Sequence, residues 1–344
     1  MKTSYKTIRP GKWWYDTDGK LIQAHGGSII EAEGKYWWYG ENKEGITGDA
    51  LGEPCPYWHH GVKLYSSTDL YNWTDEGFCV AESDDKENPF HPENLMDRPH
   101  VLYNEKTGKY VLWAKTVCGR DFDKCFFSVC VGDSLKNMRF VKKIYPHNHN
   151  VGDFDMFVHN GKGYVVYEKP HTEMIISELT EDFTDVAEKW STHLHLKAPP
   201  YIREAPAVFK KDGKIYLLTS GTTGYYANPS IVYDITDLHG EWKDLGLACI
   251  DDKNNDSFHA QFASVFYVEK SDTYIALGDR WLTDLVFDKP DAQEEFYQLF
   301  FNGIPMSPQE ELHESNTSLA KYVWLPIEFT KDGPRIRWVR TFTV

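Results

Sequence analysis

The sequence predicts an all-β fold and, within that class, a five-bladed β-propeller. Two observations support this prediction. One short strand pattern recurs five times along the 344 residues, and almost no stretch shows the 3.6-residue apolar period of a helix. The pattern is a polar turn, a tyrosine and then an apolar or aromatic run. Its tyrosines are Tyr36, Tyr110, Tyr164, Tyr216 and Tyr274, and the last copy is the weakest because it lacks the turn glycine.

Each copy follows another short strand: GGSIIEA, RPHVLYNE, DMFVHN, PAVFKK and ASVFYVEK. A strand, a tight polar turn and a second strand together indicate a β-hairpin. A further pair of strands joined by an acidic turn comes after several copies, as in SSTDLYNWTDEG and YDITDLHGEWKDLG. Units of four short antiparallel strands, repeated every roughly 50–75 residues, are typical of propeller blades. A β-sandwich would not repeat one hairpin in this way, and a β-helix has a much shorter period.

The repeats run from one end of the chain to the other without a low-complexity linker. We therefore expect a single propeller domain over residues 1–344. The C-terminal stretch KYVWLPIEFTKDGPRIRWVRTFTV is expected to supply strands that close the ring against the N-terminus.

Composition limits the function classes. A formal net charge of −15 repels phosphate backbones and anionic lipid, so neither nucleic acid nor a membrane is an expected partner. The six cysteines form no zinc-like CxxC pair, so we expect free thiols, no catalytic metal and no required cofactor. The N-terminus lacks the apolar segment of a signal peptide, which predicts a cytoplasmic protein, or a secreted one if a leader has been removed.

Polar residues at the starts of the first strands are the candidate site. Those strands line the axis of a propeller, and an apolar or β-branched residue would be usual there. Every unit has at least one polar exception: Gln23 and His25, Asp97, Asp153 and Asp155, Glu204, and His259 and Gln261. Each alone could be a turn residue bonded to local N–H groups. Their recurrence in one register favours a shared site, where neighbouring carboxylates raise the pKa of at least one of them and make a general acid.

Further candidates follow the second strand of a unit. Substrate-binding residues are predicted at Glu41, Thr223, Asp279 and Arg280, in addition to Gln23 and His25 at the start of the first unit.

Several long motifs resemble glycoside hydrolase family 43, and most closely its exo-β-1,3-galactanase branch. They are DTDGKLIQAHGGSIIEAEGKYWWYGENKE, MDRPHVLYNEKTGKYVLW, REAPAVFKKDGKIYLLTSGTTG, GDRW and YVWLPIEF, in the family's order. The resemblance implies a five-bladed propeller that hydrolyses a glycosidic bond from the non-reducing end with inversion. It implies an oligosaccharide or small glycoside as substrate. Some relatives carry an ion on the propeller axis, so a structural ion at that place is compatible with this fold.

The resemblance also implies roles for individual residues. Glu204, in REAP, matches the general acid, and Asp153, in DFDMF, matches the aspartate that tunes and orients it. The family's usual base is an aspartate of the first blade, and QAHGGSI has no carboxylate there. Two substitutes are considered: Gln261, acting through its imidic tautomer, and Asp97, one methylene shorter than the glutamate of the branch. Glu41 and His171 fall where the branch has sugar contacts.

Three other functions remain open from sequence. The same fold and acid could act on an arabinofuranoside or a xyloside. A propeller without the first-blade aspartate could bind sugar without turnover. A phosphorylase would need a cationic cluster for phosphate, for which Arg98, Arg203 and Arg280 are the candidates.

Overall fold

The computed structural model describes residues 4–45, 49–50, 53–54, 56–121, 123–195, 201–283 and 317–344. Cys55 lies outside these ranges. Five four-stranded antiparallel sheets make up the fold, and each sheet is built from one continuous stretch of chain with its strands in sequence order.

The strands of the first three blades follow the chain. Blade 1 contains β1 (His25–Ala32) and β2 (Lys35–Glu41), then the small hairpin of β3 (Asp49–Ala50) and β4 (Glu53–Pro54) outside its sheet, then β5 (Val62–Ser67) and β6 (Thr74–Val80). Blade 2 contains β7 (Leu95–Asn104), β8 (Lys109–Val117), β9 (Cys125–Gly132) and β10 (Arg139–Ile144). Blade 3 contains β11 (Phe154–His159), β12 (Lys162–Lys169), β13 (Glu173–Leu179) and β14 (Val186–His193).

The last two blades complete the ring. Blade 4 contains β15 (Arg203–Lys211), β16 (Lys214–Gly221), β17 (Ile231–Asp234) and β18 (Lys243–Leu247). Blade 5 contains β19 (Gln261–Val268), β20 (Thr273–Arg280), β21 (Lys321–Thr330) and β22 (Gly333–Ile336). Helical structure in the described ranges consists of 3-10 turns at Cys118–Arg120, Pro146–Asn148, Glu269–Ser271 and Thr317–Leu319.

The predicted all-β, five-bladed propeller is confirmed. Each repeated tyrosine lies in the second strand of a blade, and the run after it is apolar because both faces of that strand are buried between neighbouring blades. Tight turns explain why the hairpins recur. Glu33–Gly34, Asn160–Gly161 and Asp212–Gly213 have positive φ at both positions, which is the geometry of a two-residue type I′ turn and suits Asn-Gly and Asp-Gly sequences.

The ring closes without exchanging a strand between the chain ends. The first strands β1, β7, β11, β15 and β19 contact one another in that order, and β19 contacts β1. The N-terminal segment adds isolated bridges to the C-terminal part, from Lys12 to Tyr322 and from Ile8 to Phe342. The C-terminal stretch therefore contributes the two outer strands of blade 5 and fastens the N-terminus, as the sequence led us to expect.

The hydrophobic core is divided into layers that lie between adjacent blades. Five clusters of buried side chains each combine residues of two neighbouring sheets. The layer between blades 5 and 1 is rich in tryptophan, with Trp14, Trp38, Trp73 and Trp324 in edge-to-face contact. Because such packing holds each blade against the next, the ends of the inner strands are fixed relative to one another. No helix within the described residues is both long and apolar enough to cross a bilayer.

Candidate active site

The site lies where the inner strands begin, and β1, β7 and β15 carry a β-bulge there, as β19 does between Phe262 and Ser264. The pairing of β1, β7 and β15 with their neighbours shifts between His25 and Ser28, Asp97 and His100, and Glu204 and Ala207. A residue of positive φ directly follows the predicted site residue in each case: Gly26, Arg98 and Ala205. A bulge redirects the side chains at a strand end. The same local feature thus presents one predicted residue from each of three blades.

Glu204 is the most strongly perturbed carboxyl group of this site. It is 8% exposed, and its Oε1 accepts a hydrogen bond of 3.0 Å from Nε2 of Gln261. Burial raises the pKa of Glu204 well above its ordinary value, and the charges of Asp153 and Glu168 raise it further, against the opposing effect of nearby cations. The protonated form of Glu204 is therefore favoured, and this form has a proton to donate.

Asp153 lies beside Glu204 but is held by two cations. Its Oδ2 is 3.1 Å from Nη2 of Arg98, and its Oδ1 is 3.3 Å from Nζ of Lys115. Burial alone would raise the pKa of Asp153, but Arg98, Lys115 and the backbone N–H of Ala205 lower it below the usual value. A buried, ionised carboxylate next to a protonated one keeps the acid's proton in place through its negative charge.

Gln261 connects these groups through all of its amide atoms. Nε2 donates to Glu204 and, at 3.0 Å, to Oγ of Ser220. Oε1 accepts from Nη2 of Arg98 at 2.5 Å and from Nε1 of Trp281 at 3.2 Å. The structure thus brings together the sequence-predicted residues Glu204, Asp153 and Gln261.

Asp97 joins the same group through Lys115. Nζ of Lys115 is 3.4 Å from Oδ2 of Asp97 and also contacts Asp153, so one ammonium group bridges two carboxylates. The Asp97 side chain keeps 20% of its surface exposed, more than the 10% of Asp153, and can therefore meet a water molecule. Lys115 was not predicted. The sequence does contain a signal that could have identified Lys115. It is a lysine inside the apolar run YVLWAKTV, and a buried second strand rarely carries a charged residue.

Glu41 and Lys43 form a buried ion pair at the end of blade 1. Oε2 of Glu41 is 2.9 Å from Nζ of Lys43, and its Oε1 accepts the backbone N–H of Arg98 at 3.0 Å. Burial raises the pKa of Glu41 to about 7, with Lys43 opposing the shift and Asp97 adding to it. Gly26 is required here because a Cβ at that position would meet Oε1 of Glu41 at 2.4 Å.

His25 and Asp279, both predicted to bind substrate, bind each other. Nδ1 of His25 is 2.8 Å from Oδ1 of Asp279, whose Oδ2 accepts the N–H of Gly26 at 3.0 Å. The ring of His25 stacks on Tyr322 with centroids 5.0 Å apart. Its Nε2 is buried without a hydrogen-bond partner. Asp279 therefore fixes the imidazole and leaves Nε2 as its unpaired ring nitrogen.

Thr223 and Arg280 hold backbone in place. Oγ1 of Thr223 donates to the carbonyl of Tyr226 at 2.6 Å. Arg280 donates to the carbonyls of Phe258 at 2.8 Å and His259 at 3.1 Å. These contacts stabilise the loops that flank Gln261, a role that sequence alone did not suggest.

Gln23 and His171 bind residues other than Glu204, Asp153 and Gln261. Nε2 of Gln23 donates to the carbonyl of Ser318 at 3.2 Å. His171 is 60% exposed and its Nδ1 is 3.1 Å from Oε1 of Glu168, a hydrogen bond that raises its pKa. Glu168 also raises the pKa of Glu204, and the charges of Lys115 and Asp153 act on His171, so His171 is linked to the acid through charged neighbours that they share. In the part of the chain that the structure describes, no three His, Cys, Asp or Glu side chains are grouped to hold a metal ion.

Comparison with known proteins identifies the family to which this chain belongs. The family model for glycosyl hydrolases family 43 matches residues 22–277, which include all five inner strands. The chain belongs to this family. Membership confirms the predicted family and the predicted enzyme class, a glycoside hydrolase. No curated protein sequence is significantly similar to this family 43 chain.

Solved structures share its fold along nearly its whole length. Two GH43 β-1,3-galactosidases are each 26% identical to it. One gives a TM-score of 0.80 over 98% of this chain and 63% of its own, so this chain spans less than two thirds of that protein. The other, solved with galactodeoxynojirimycin, gives 0.79 over 98% and 100%. An exo-β-1,3-galactanase from Phanerochaete chrysosporium with β-1,3-galactotriose is 21% identical, with a TM-score of 0.77 over 99% and 68%.

Proposed function

We propose that this chain is an inverting, exo-acting glycoside hydrolase that releases galactose from β-linked galactosides, with Glu204 as the general acid. The observation that carries the proposal is the contrast between two buried neighbours. Glu204 has a strongly raised pKa, and Asp153, paired with Arg98 and Lys115, has a lowered one. Two carboxyl groups with separated pKa values are what acid catalysis of glycoside hydrolysis requires.

The reaction balances with the groups present. Glu204 gives its proton to the glycosidic oxygen as the bond to the anomeric carbon breaks. A water molecule attacks that carbon from the opposite face and loses a proton to a base. We assign the base to Asp97, because its carboxylate is the more exposed one and Lys115 holds it in place. In an inverting enzyme the acid and base stand about 6.5–9.5 Å apart to leave room for this water. The first product of a β-galactoside is then α-galactose.

Galactose is proposed from the relatives and from the binding groups. The β-1,3-galactosidase structures are 26% identical to this chain over 98% of its length. Glu41, with its pKa raised to about 7, and the unpartnered Nε2 of His25 are polar groups suited to sugar hydroxyls. An arabinofuranoside or xyloside would use the same acid, so the sugar is the part of the proposal that needs a substrate panel.

The contacts of two arginines argue against a phosphorylase. Arg203 donates to Oγ1 and the carbonyl of Thr219 and to the carbonyl of Pro229. Arg280 is likewise engaged with backbone carbonyls. Of the three candidate arginines, Arg98 is the one that contacts the group around Glu204, and a single guanidinium paired with Asp153 is a poor phosphate site.

The test compares β-1,3-galactobiose with aryl β-galactosides, α-arabinofuranosides and β-xylosides, using wild type, Glu204→Gln and the exposed control Glu328→Gln. An activated aryl leaving group needs little acid help. Glu204→Gln should therefore lose about 10²–10⁴-fold in kcat/KM on galactobiose and far less on the activated aryl galactoside. The control should retain wild-type activity.

Other outcomes separate the alternatives. Cleavage of arabinosides or xylosides alone would refute the galactose assignment while leaving the acid in place. Galactose binding without cleavage of any substrate would show that the propeller binds sugar without catalysis, and it would refute the proposed hydrolase activity. Proton NMR of the first turnover should show α-galactose, and β-galactose would contradict inversion.

A further inference from the structure

Glu168 is a buried carboxylate of blade 3 that occupies a position shared with the other four blades. In those blades the site residue of the first strand pairs with a polar residue near the end of the second strand: His25 with Glu41, Asp97 with Lys115, Glu204 with Ser220 and Gln261 with Asp279. In blade 3 the N–H of Glu168 donates to the carbonyl of Asp153 at 2.8 Å, and its carbonyl accepts the N–H of Gly152 at 2.7 Å. Glu168 therefore stands to Asp153 as these second-strand residues stand to their partners.

The carboxylate of Glu168 has a fixed position. Its side chain is 4% exposed, and its Oε1 accepts the backbone N–H of His171 at 2.8 Å and lies 3.1 Å from Nδ1 of the same histidine. Its Oε2 lies against Gly152, where a Cβ would meet it at 2.2 Å. The glycine before Asp153 therefore leaves the space that the carboxylate of Glu168 fills.

Glu168 alters the balance of charge around the acid. Strand β12, which carries Glu168, contacts β15, which carries Glu204, so its charge acts across the junction of blades 3 and 4. Asp153 and Glu168 raise the pKa of Glu204 beyond the effect of burial, and Lys115 and Arg98 lower it. Without Glu168, one of these carboxylates would oppose two cations, and the proton of Glu204 would be held less tightly.

Other charged and titratable groups also face Glu168. Its charge acts on Lys115 of β8 and on the thiol of Cys125 of β9. The hydrogen bond with Glu168 raises the pKa of His171, which follows β12 and is 60% exposed. A protonated His171 offsets the charge of Glu168, and a neutral His171 leaves that charge to act on the acid.

We propose that Glu168 is a positioning residue for the acid, which together with Asp153 keeps the catalytic proton on Glu204 while His171 fixes the orientation of its carboxylate. Glu168 acts through Glu204 and needs no contact with the sugar. The inference rests on the proposed function, since it assigns a role within the same reaction.

The experiment uses Glu168→Gln, which keeps the shape of the side chain and an acceptor for the N–H of His171 but removes the charge. The basic limb of kcat/KM on β-1,3-galactobiose should move to lower pH by about 0.5–1 unit, because Glu204 loses its proton more easily. At neutral pH we expect a loss of about threefold to tenfold on the disaccharide and less than about twofold on 2,4-dinitrophenyl β-galactoside, whose leaving group needs little acid help.

The control for this variant is Glu181→Gln on the same blade, which removes a carboxylate whose side chain is 77% exposed. It should leave the pH profile unchanged. A basic limb that stays in place in Glu168→Gln would overturn the inference. Equal losses on both substrates at every pH would do so too, because they would indicate a structural role alone.

Glu168→Asp separates charge from shape, since it keeps the carboxylate and removes one methylene. It should move the basic limb less than half as far as Glu168→Gln. A shift as large as that of Glu168→Gln would mean that the fit of the side chain matters more than its charge, and it would contradict the inference.

His171→Lys keeps the proposal testable if Glu168→Gln does not fold, because the side chain at this position is exposed. Lysine stays charged at a pH where histidine loses its proton, so it offsets Glu168 throughout the basic limb. That limb should move to lower pH by about 0.3–0.5 unit at low salt, and by less at high salt. A limb that stays in place or moves to higher pH would count against the inference.

A direct titration of Glu204 separates this inference from the proposed activity. Carbon-13 NMR of protein labelled at its glutamate carboxyl groups, with Glu204→Gln to assign the signal, measures the pKa of Glu204 without turnover. If no glycoside is cleaved, the proposed function fails, while a lower pKa of Glu204 in Glu168→Gln still supports the coupling. An unchanged pKa overturns the inference whether or not the enzyme is active.

Discussion

Asp153 of blade 3 and Glu204 of blade 4 are close enough for the charge of one to raise the pKa of the other. They are also almost equally buried, at 7% and 8% exposure, yet their pKa values move in opposite directions. Burial cannot explain the difference. Asp153 contacts the guanidinium of Arg98 and the ammonium of Lys115, whereas Glu204 receives one neutral N–H from Gln261.

Asp155, two residues after Asp153 on the same strand, extends the comparison. Its oxygens accept the N–H groups of Met156 and Val208, both at 2.7 Å, and lie beside His100, whose pKa is lowered to about 3 by burial. Without a cation, burial raises the pKa of Asp155 to about 7. The comparison of Asp153, Glu204 and Asp155 shows that contact with cations, more than the extent of burial, determines the direction in which the pKa of a carboxyl group shifts in this propeller.

Removing the charge of Asp153 should have the largest effect. In Asp153→Asn the nearby negative charge that raises the pKa of Glu204 is lost. The pKa of Glu204 should fall, the basic limb of kcat/KM should move to lower pH, and activity at neutral pH should drop by about 100-fold or more. A pH series on β-1,3-galactobiose measures this effect, with the exposed Asp272→Asn as a matched control. A basic limb that stays in place or moves upward would contradict the assigned coupling.

The fold was predictable because its signals are local. Type I′ turns favour a glycine at the second position, most often after Asn or Asp, and a strand buried on both faces needs a continuous apolar run, so the repeat is visible in the sequence. The carboxylates at the strand starts were visible for the same reason, since Asp97, Asp153 and Glu204 occupy equivalent places in successive units.

The rest of the site depends on contacts between blades, which one unit does not reveal. Lys115 comes from the second strand of blade 2 and pairs with Asp153 of blade 3. His25 and Asp279 were predicted separately and turn out to be partners across the junction of blades 1 and 5. Arg280 supports a left-handed turn that no sequence rule would place at Ser257–His259. Sequence thus named most of the central residues but not their pairings.

Replacing Lys115 should have an effect of intermediate size on the difference between the pKa values of Asp153 and Glu204. In Lys115→Met, Asp153 loses one of its two cations while Arg98 remains, so the pKa of Asp153 should rise and the acidic limb of kcat/KM should move to higher pH. Asp97 loses its partner too, and we expect about a tenfold fall in kcat/KM. Lys115→Arg should restore most of the activity because it retains the charge. The exposed Lys214→Met is the control, and an acidic limb that moves to lower pH would refute the role given to Lys115.

The smallest expected effect concerns stability and Asp155. Because its pKa in the folded protein, about 7, lies above that of an unfolded aspartate, the folded state binds the proton more tightly. Its contribution to the free energy of unfolding is therefore full below about pH 4 and is lost as pH rises towards 7. Asp155→Asn cannot titrate and should lack this part of the pH dependence. Chemical denaturation of both proteins between pH 4 and 8 should show that the stability advantage of the wild type shrinks as pH rises. An advantage that grows with pH would mean that Asp155 is ionised in the folded protein, and the contrast with Asp153 would then have to come from something other than the missing cation.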